Sequence, residues 1–289
     1  MKKKFAVLGD PIEHSWSPSI HYSFAKQFNL SIEYKKIKVV SGSLDSQLSD
    51  LIIKDYQGFN ITVPLKQEAF QLAKKNKWDI SERALKAQAV NTLFLRENFF
   101  FADNTDGVGL LRDLHHNGYS ENNSNVLIVG AGGAVRGILP LFSLNRPKEV
   151  IVVNRTDGNL RLLSKIFHEK FFKYLTIKDF NKKFNKFDHD KIKSNKFDLI
   201  INATSASISN HELEIPHKLF LNCPLVVDLF YSSNPTPFLN LAASSGAKKA
   251  IDGLGMLVEQ AAESFYIWTN HRPRTEEVMD KIRSDFNYK

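Results

Sequence analysis

Val126-Leu127-Ile128-Val129 runs directly into Gly130-Ala131-Gly132-Gly133-Ala134, an apolar strand feeding a glycine-rich turn that has to open a helix. That order of elements suits a pyrophosphate. Gly130 permits the tight turn, Gly132 lets the backbone approach phosphate with no Cβ between them, and the free N–H groups of the helix start face the anion. The match to G-x-G-x-x-G is incomplete, because Val135 stands at the third position, and glycine turns also occur without ligands. A second signal follows about 20 residues on, where such folds read the ribose. There Val150 to Val153 ends in Asn154-Arg155-Thr156, with no carboxylate to accept from a 2′-hydroxyl or to repel a 2′-phosphate. Asn154 is neutral and Arg155 offers a planar cation for phosphate or adenine, so the expected cofactor is NADP rather than NAD.

A second group of residues could do acid–base work. Asn60-Ile61-Thr62-Val63-Pro64-Leu65-Lys66 places a lysine in the first turn of an expected helix, where the dipole favours Asp or Glu. A residue set against its local preference is a functional candidate, although a surface lysine is the commoner outcome in a lysine-rich chain. Asp106, in Asn104-Thr105-Asp106-Gly107, reads as a helix N-cap on spacing alone and as a proton-transfer partner if it faces Lys66. Asn91 is a polar side chain in an otherwise apolar strand, and its amide needs partners that a polyhydroxylated substrate could provide. Ser15 and Ser17, two residues apart before a helix start, could hold a carboxylate; the plainer reading makes Ser17 a cap and Ser15 a loop residue. His21, His115 and His116 lack the cysteine or carboxylate spacing of a metal site and read as structural or solvated, so no metal is expected.

The elements that must position these residues follow from periodicity and caps. Strands are expected at 4–8, 34–40, 58–63, 89–95 and 98–102, with helices at 17–29, 44–53, 64–76 and 108–116. After residue 125 the pattern restarts with short runs at 126–129, 150–153, 175–177, 198–201 and 225–229. These are apolar throughout, as in a parallel sheet covered on both faces. Helices at 256–268 and 275–286 close the chain. The expected fold is α/β with two α/β domains and a cleft between them. Residues 1–105 plus 254–289 form a substrate domain, and 106–253 form a Rossmann-like nucleotide-binding domain with a parallel sheet.

Composition sets the bounds. The 289 residues, 43% hydrophobic and 24% charged, are ordinary for a soluble globular protein of about two domains. A single cysteine, Cys223, forms no internal disulfide and reads as a small buried apolar residue. The lysines after Met1 mimic a signal peptide, but the apolar run behind them is cut at Gly9-Asp10-Pro11, and no run approaches a membrane span. A cytoplasmic location is expected. The net charge of +8 raises nucleic acid as a partner, yet much of the excess lies at the N-terminus and in 178–196, where Lys182, Lys183, Lys186, Lys191, Lys193 and Lys196 read as a solvated face.

Taken together, the segments resemble the shikimate dehydrogenase family from the first strand to the last helices. Its motifs occur in order: Gly9-Asp10-Pro11 with His14 to Pro18, Asn60 to Lys66, Ala89 to Thr92, Asn104 to Gly107, the Gly130 turn, Asn154 to Thr156, Asn202-Ala203-Thr204-Ser205, and Asp252-Gly253-Leu254-Gly255-Met256. The resemblance implies reversible NADPH-dependent reduction of 3-dehydroshikimate to shikimate, on the route to chorismate. It implies that Ser15 and Ser17 hold the carboxylate, that Thr62, Asn91, Asp106 and Gln260 bind hydroxyls, and that Lys66 and Asp106 are the catalytic pair. Tyr231 would line the substrate pocket, Gly253 would approach the nicotinamide, and Thr204 would belong to the cofactor site with the Gly130 to Ala134 turn and Asn154 to Thr156. The implied partner is a small molecule, on a monomer or homodimer, with neither nucleic acid nor membrane involved. Departures are Trp16, where lysine is common, Asn159, where a second basic residue is common, and Ser207 in place of a glycine; Arg161 could aid Arg155, and Asp157 works against it. An NAD-using quinate/shikimate dehydrogenase and a non-catalytic shikimate sensor are the alternatives, the sensor disfavoured by the intact Lys66 and Asp106.

Overall fold

The computed structural model describes residues 2–97, 99–185, 197–204, 206 and 213–287. The lysines from 186 to 196 and Ser205 and Ser207 therefore lie outside the described residues. The chain forms two compact units: Met1–Leu110 with Leu257–Ile282, and Leu111–Met256 with Arg283–Lys289.

In the first unit, β1 (Lys3–Gly9), α1 (Ser17–Gln27), β2 (Ile32–Lys38), α2 (Leu44–Ile53), β3 (Tyr56–Ile61), α3 (Lys66–Lys75), β4 (Asp79–Ile80), α4 (Glu82–Ala87), β5 (Thr92–Arg96) and β6 (Phe99–Asp103) lead into α5 (Asp106–His116). The sheet order is β2-β1-β3-β5-β6-β4, with β1 parallel to both neighbours and the β5–β6 hairpin antiparallel beside β3. Interior strands β1 and β3 are largely buried, whereas edge strand β2 turns Lys35, Lys36 and Lys38 outward, so burial on two faces or one decides the pattern. Leu8, Phe59, Ile61, Leu65, Phe70, Leu93 and Phe100 form one core cluster.

Three local outcomes differ from the sequence expectation. The N-cap of α1 is Trp16, so Ser17 is the first helical residue and its hydroxyl caps nothing. Asn91 lies just before β5 rather than within a strand, because the hairpin starts at Thr92. Asp106 is the first residue of α5, and its N–H is capped by the Asn104 side-chain oxygen at 3.1 Å, which releases its own carboxylate.

In the second unit, β7 (Asn125–Val129), α6 (Gly133–Asn145), β8 (Glu149–Asn154), α7 (Asp157–Ile166), β9 (Phe172–Thr176), α8 (Ile177–Asn185), β10 (Leu199–Asn202), β11 (Leu225–Asp228), α9 (Pro237–Ser244) and β12 (Ala250–Asp252) precede α10 (Leu254–Thr269) and α11 (Glu276–Asn287). The sheet order β12-β11-β10-β7-β8-β9 is parallel throughout. Order reverses at β7, flanked by β10 and β8, and ligands of such sheets bind at the carboxyl ends of strands at that switch. Residues 283–287 of α11 group with this unit, where the sequence division had put all of 254–289 with the first. Arg283 makes a bidentate ion pair with Asp252, and Phe286 lies 6.3 Å from the Tyr231 ring. Cys223 is fully buried and forms no disulfide among the described residues.

His21, on α1, is fully buried. It stacks on Tyr34 at 4.5 Å and sits among Phe24, Phe265 and Trp268, with no well-formed hydrogen bond at either ring nitrogen. Burial pushes its pKa down to about 3, opposed only by the Asn60 side chain. Between the ordinary value of 6.5 and 3 the unfolded chain takes up a proton that the folded chain refuses, so stability falls as pH falls through that window, by about 1.4 kcal/mol per unit. The unfolding free energy of His21→Phe is therefore expected to decline less steeply from pH 6.5 to 4 than that of the wild type, by about that slope. Urea titrations across the range measure it, and parallel slopes would contradict a neutral buried imidazole.

Candidate active site

Lys66 Nζ lies 2.7 Å from Asp106 Oδ2. The lysine opens α3 and the aspartate opens α5, so two helix starts bring the pair together. The Asp106 side chain is buried (7% exposed) and the Lys66 side chain is partly exposed (23%), an arrangement suited to a lysine that exchanges a proton while its partner fixes it. Asn91 Nδ2 donates to the other oxygen, Asp106 Oδ1, at 2.8 Å. Asn91 is itself only 2% exposed. It also has protein partners: Oδ1 accepts from the Thr105 N–H at 2.8 Å and Thr92 Oγ1 at 2.9 Å, and Nδ2 also reaches Thr105 Oγ1 at 2.9 Å.

Gln260 joins this cluster from α10, its Oε1 accepting from Asn91 Nδ2 and Thr105 Oγ1, each at 3.4 Å. The approach depends on Gly109, since a Cβ there would lie 2.6 Å from the Gln260 backbone nitrogen. Thr62 follows β3 and is half-buried, its N–H bonded to the Leu8 carbonyl at 2.9 Å. Ser15 and Ser17 stand as a pair, the Ser15 hydroxyl donating to Ser17 Oγ at 3.1 Å. Two adjacent hydroxyls at the start of a helix offer a carboxylate two donors in the favourable direction of the dipole.

The second unit carries the nucleotide features. Gly130 has φ +116°, and a Cβ there would lie 2.9 Å from the Ala203 carbonyl oxygen, so only glycine fits where the turn after β7 passes the loop after β10. Gly132 and Gly133 face open space, and α6 has no side-chain cap, which leaves the N–H groups of its first turn without an internal partner. Residues with these properties fit a pyrophosphate. Thr204 packs against Gly130 and is itself fixed by Asn202 Oδ1, which accepts from its N–H at 3.0 Å and its hydroxyl at 2.8 Å. At the end of β8, Asn154 Nδ2 donates to the Thr156 carbonyl at 2.9 Å and closes the turn that presents Arg155. Arg155 is exposed and its guanidinium has no partner among the described residues. Arg161 does not reinforce it, because Arg161 and Asp157 pair with each other one turn into α7 and cancel. Gly253 sits where a Cβ would fall 2.2 Å from the Leu229 carbonyl oxygen. Beside it Tyr231 is partly buried, and burial raises its phenol pKa, with Asp252 adding to the effect.

Three family models account for most of the sequence: the shikimate dehydrogenase substrate binding domain matches residues 7–93, shikimate / quinate 5-dehydrogenase matches 114–215, and the shikimate 5′-dehydrogenase C-terminal domain matches 253–283. Shikimate dehydrogenase (NADP(+)) of Legionella pneumophila strain Lens is 41% identical over 288 residues, covering 98% of this chain and all of that one. The chain belongs to the shikimate dehydrogenase family. Among solved structures, the Ael1 enzyme from Pseudomonas putida shares 36% identity with a TM-score of 0.85 over 97% of this chain and 98% of that one. Shikimate 5-dehydrogenase from Thermus thermophilus, solved with NADP(H) and shikimate, shares 28% identity with a TM-score of 0.81 over 98% and 99%.

Within this family member, the sequence reading passed over the residues that hold the site residues in place. Thr105 and Ser264 both touch the Asn91 cluster, and Ser264 lies one turn after Gln260 on the same face of α10, a spacing that could have flagged it. Asp228, fully buried at the end of β11, accepts from Asn202 Nδ2 at 3.1 Å, from Thr236 Oγ1 at 2.6 Å and from the Phe230 N–H at 3.1 Å, tying together the loops that carry Thr204 and Tyr231. Nothing in the local pattern of Asp228 distinguishes it from an ordinary strand-end acid.

Proposed function

We propose that this protein reduces 3-dehydroshikimate reversibly to shikimate with NADPH, in the biosynthesis of chorismate and the aromatic amino acids. The observation that carries the reading is the Lys66–Asp106 pair, 2.7 Å apart, within one hydrogen-bonded cluster with Asn91 and Gln260, in a chain of this family. The nicotinamide, when bound, supplies or accepts the hydride. The protein's own residues bind and move the proton. Ser15 and Ser17 hold the substrate carboxylate, and Thr62, Asn91, Asp106 and Gln260 orient its hydroxyls. Lys66 delivers a proton to the oxygen that develops negative charge during reduction and takes it back in the reverse direction, while Asp106 keeps the ammonium aimed. Gly130, Ala131, Gly132, Gly133 and Ala134 hold the pyrophosphate, Asn154, Arg155 and Thr156 the adenosine end, and Thr204, Tyr231 and Gly253 the nicotinamide end. In this reading the enzyme works in the cytoplasm as a monomer or homodimer.

Initial rates with shikimate and with quinate, each with NADP and with NAD, test the reading. It requires turnover of shikimate with NADP. Turnover only of quinate with NAD, or binding without turnover, would overturn it. Replacing both hydroxyls, Ser15→Ala with Ser17→Ala, is expected to weaken shikimate binding by about 10²- to 10⁴-fold, the loss of two charge-assisted hydrogen bonds, with NADP binding unchanged. Calorimetric titration measures both, and unaltered shikimate affinity would remove the carboxylate site from these serines.

A further inference from the structure

Asn104, between β6 and α5, is buried (2% exposed). Both ends of its amide are engaged: Oδ1 accepts from the Asp106 N–H at 3.1 Å, and Nδ2 donates to the Ala89 carbonyl at 3.0 Å. Its own N–H donates to Asp103 Oδ1 at 2.7 Å, and Asp103 is held from α4 by Arg83, whose Nε and Nη2 reach its two carboxylate oxygens at 2.8 and 2.6 Å. The stretch at the far end of the amide is the one that carries Asn91. Within it the Val90 N–H donates to the Lys66 carbonyl at 2.8 Å, and the Asn91 N–H donates to the Asp103 carbonyl at 3.0 Å. One planar amide therefore joins the start of α5, with Asp106, to a stretch that is itself bonded to the backbone of Lys66.

By position the residue that should cap α5 is Thr105, whose carbonyl accepts from the Gly109 N–H at 2.9 Å and closes the first turn. Its hydroxyl is used elsewhere, accepting from Asn91 Nδ2 at 2.9 Å and donating to Gln260 Oε1 at 3.4 Å. The helix start takes its cap from the residue before. The Asp106 carboxylate must meet two donors from separate segments, Lys66 Nζ at 2.7 Å on Oδ2 and Asn91 Nδ2 at 2.8 Å on Oδ1. Of the three staggered positions of its χ1, one makes both contacts, and only from a first turn whose N–H groups are held.

We propose that Asn104 is a positioning residue: holding the Asp106 N–H and the Ala89 carbonyl with one side chain, it sets the start of α5 against the Asn91 stretch and so aims the Asp106 carboxylate at Lys66. The assignment deepens the reading above and rests on it. Asparagine suits the place because it offers an acceptor and a donor on one rigid plane. Aspartate would turn an oxygen toward the Ala89 carbonyl. Serine would keep an acceptor for the N–H two residues on, as short hydroxyl side chains do in turns, and give up the second contact.

Asn104→Ala is expected to lower kcat for shikimate oxidation by about ten- to 100-fold, the scale for a displacement of about 1 Å at a reacting group, with NADP affinity unchanged. Asn104→Ser should recover most of this, to within about fivefold of the wild type. The decisive arm is a double-mutant cycle: in an Asp106→Ala background, Asn104→Ala should change the residual kcat by less than about twofold, because the group it positions is gone. Equal effects of Asn104→Ala in both backgrounds would mean that Asn104 acts through the fold at large, and a serine variant no better than alanine would mean that the contact with Asp106 is not the one that matters; either overturns the assignment. Thermal unfolding of each variant shows that rates are taken on folded protein. Should Asn104→Ala not fold, Asn104→Gly, which costs a helix start less, takes its place with the same expectations. A wild type that does not turn over shikimate defeats the functional reading itself, whereas a wild type that does, with kcat unaltered in folded Asn104→Ala, defeats only this inference.

Discussion

Lys66→Ala is expected to lower turnover of shikimate by roughly 10²- to 10⁴-fold, the range for a positioned acid–base group, with NADP binding unchanged. The size follows from the surroundings of the ammonium. Among the described residues Asp106 is its ion-pair partner, at 2.7 Å, and fixes the ammonium that exchanges the proton. Removing the lysine also leaves Asp106 without its cation, which would destabilise the local structure even if no proton moved. Lys66→Arg separates the two effects. Guanidinium keeps the charge beside Asp106 but holds its proton at any working pH, so this variant should fold like the wild type and remain nearly as inactive as Lys66→Ala. Single-turnover rates, with shikimate and NADP affinities measured alongside, check both variants. Near-normal turnover in Lys66→Ala would reduce Lys66 to an exposed residue tied to an acid.

The parts of the molecule that could be read from sequence are those where one physical requirement fixes the residue type. The apolar runs of β7, β8, β10 and β11 are buried on both faces and could be nothing but interior strands. Gly130 was legible because its positive φ and its contact with the loop after β10 admit no side chain. Lys66 was legible because it sits against the dipole of its own helix. What could not be read is the polar network. Asn91 was recognised as a buried amide, but its protein partners were not: Thr105, Thr92 and Asp106 come from a hairpin and a helix start whose register only folding sets. Ser17 and Asp106 were read as caps because serine and aspartate before a helix usually are. Shifting the helix starts onto these two residues themselves moved the capping to Asn104 in one case and removed it in the other. A one-residue shift at a helix start lies within the scatter of any boundary read from sequence, yet here it separates a capping side chain from a working one.

Arg155→Ala is expected to weaken NADP binding by about 10- to 100-fold, the loss of one charge-assisted contact, to weaken NAD binding much less, and to leave shikimate affinity unchanged. The asymmetry rests on the turn after β8. Asn154 uses its amide to hold the Thr156 carbonyl, so the ribose-facing end of the strand carries no negative charge, and the exposed guanidinium of Arg155 is left free to meet one. The start of α7 adds no free second cation to it: Asn159 is neutral, and Arg161 is paired with Asp157. The preference for NADP over NAD should therefore depend on this single arginine and nearly vanish with it. Because the arginine is exposed, the effect should also shrink with ionic strength, the screening length falling from about 30 Å at 0.01 M to about 8 Å at 0.15 M. Arg155 can stack on adenine as well, and that share of the loss would fall equally on NAD and persist in salt. Titrations of both cofactors into wild type and Arg155→Ala at low and moderate salt divide the two contributions. Equal wild-type affinity for NAD and NADP, or equal loss of both in the variant, would show that this turn does not read the 2′-phosphate.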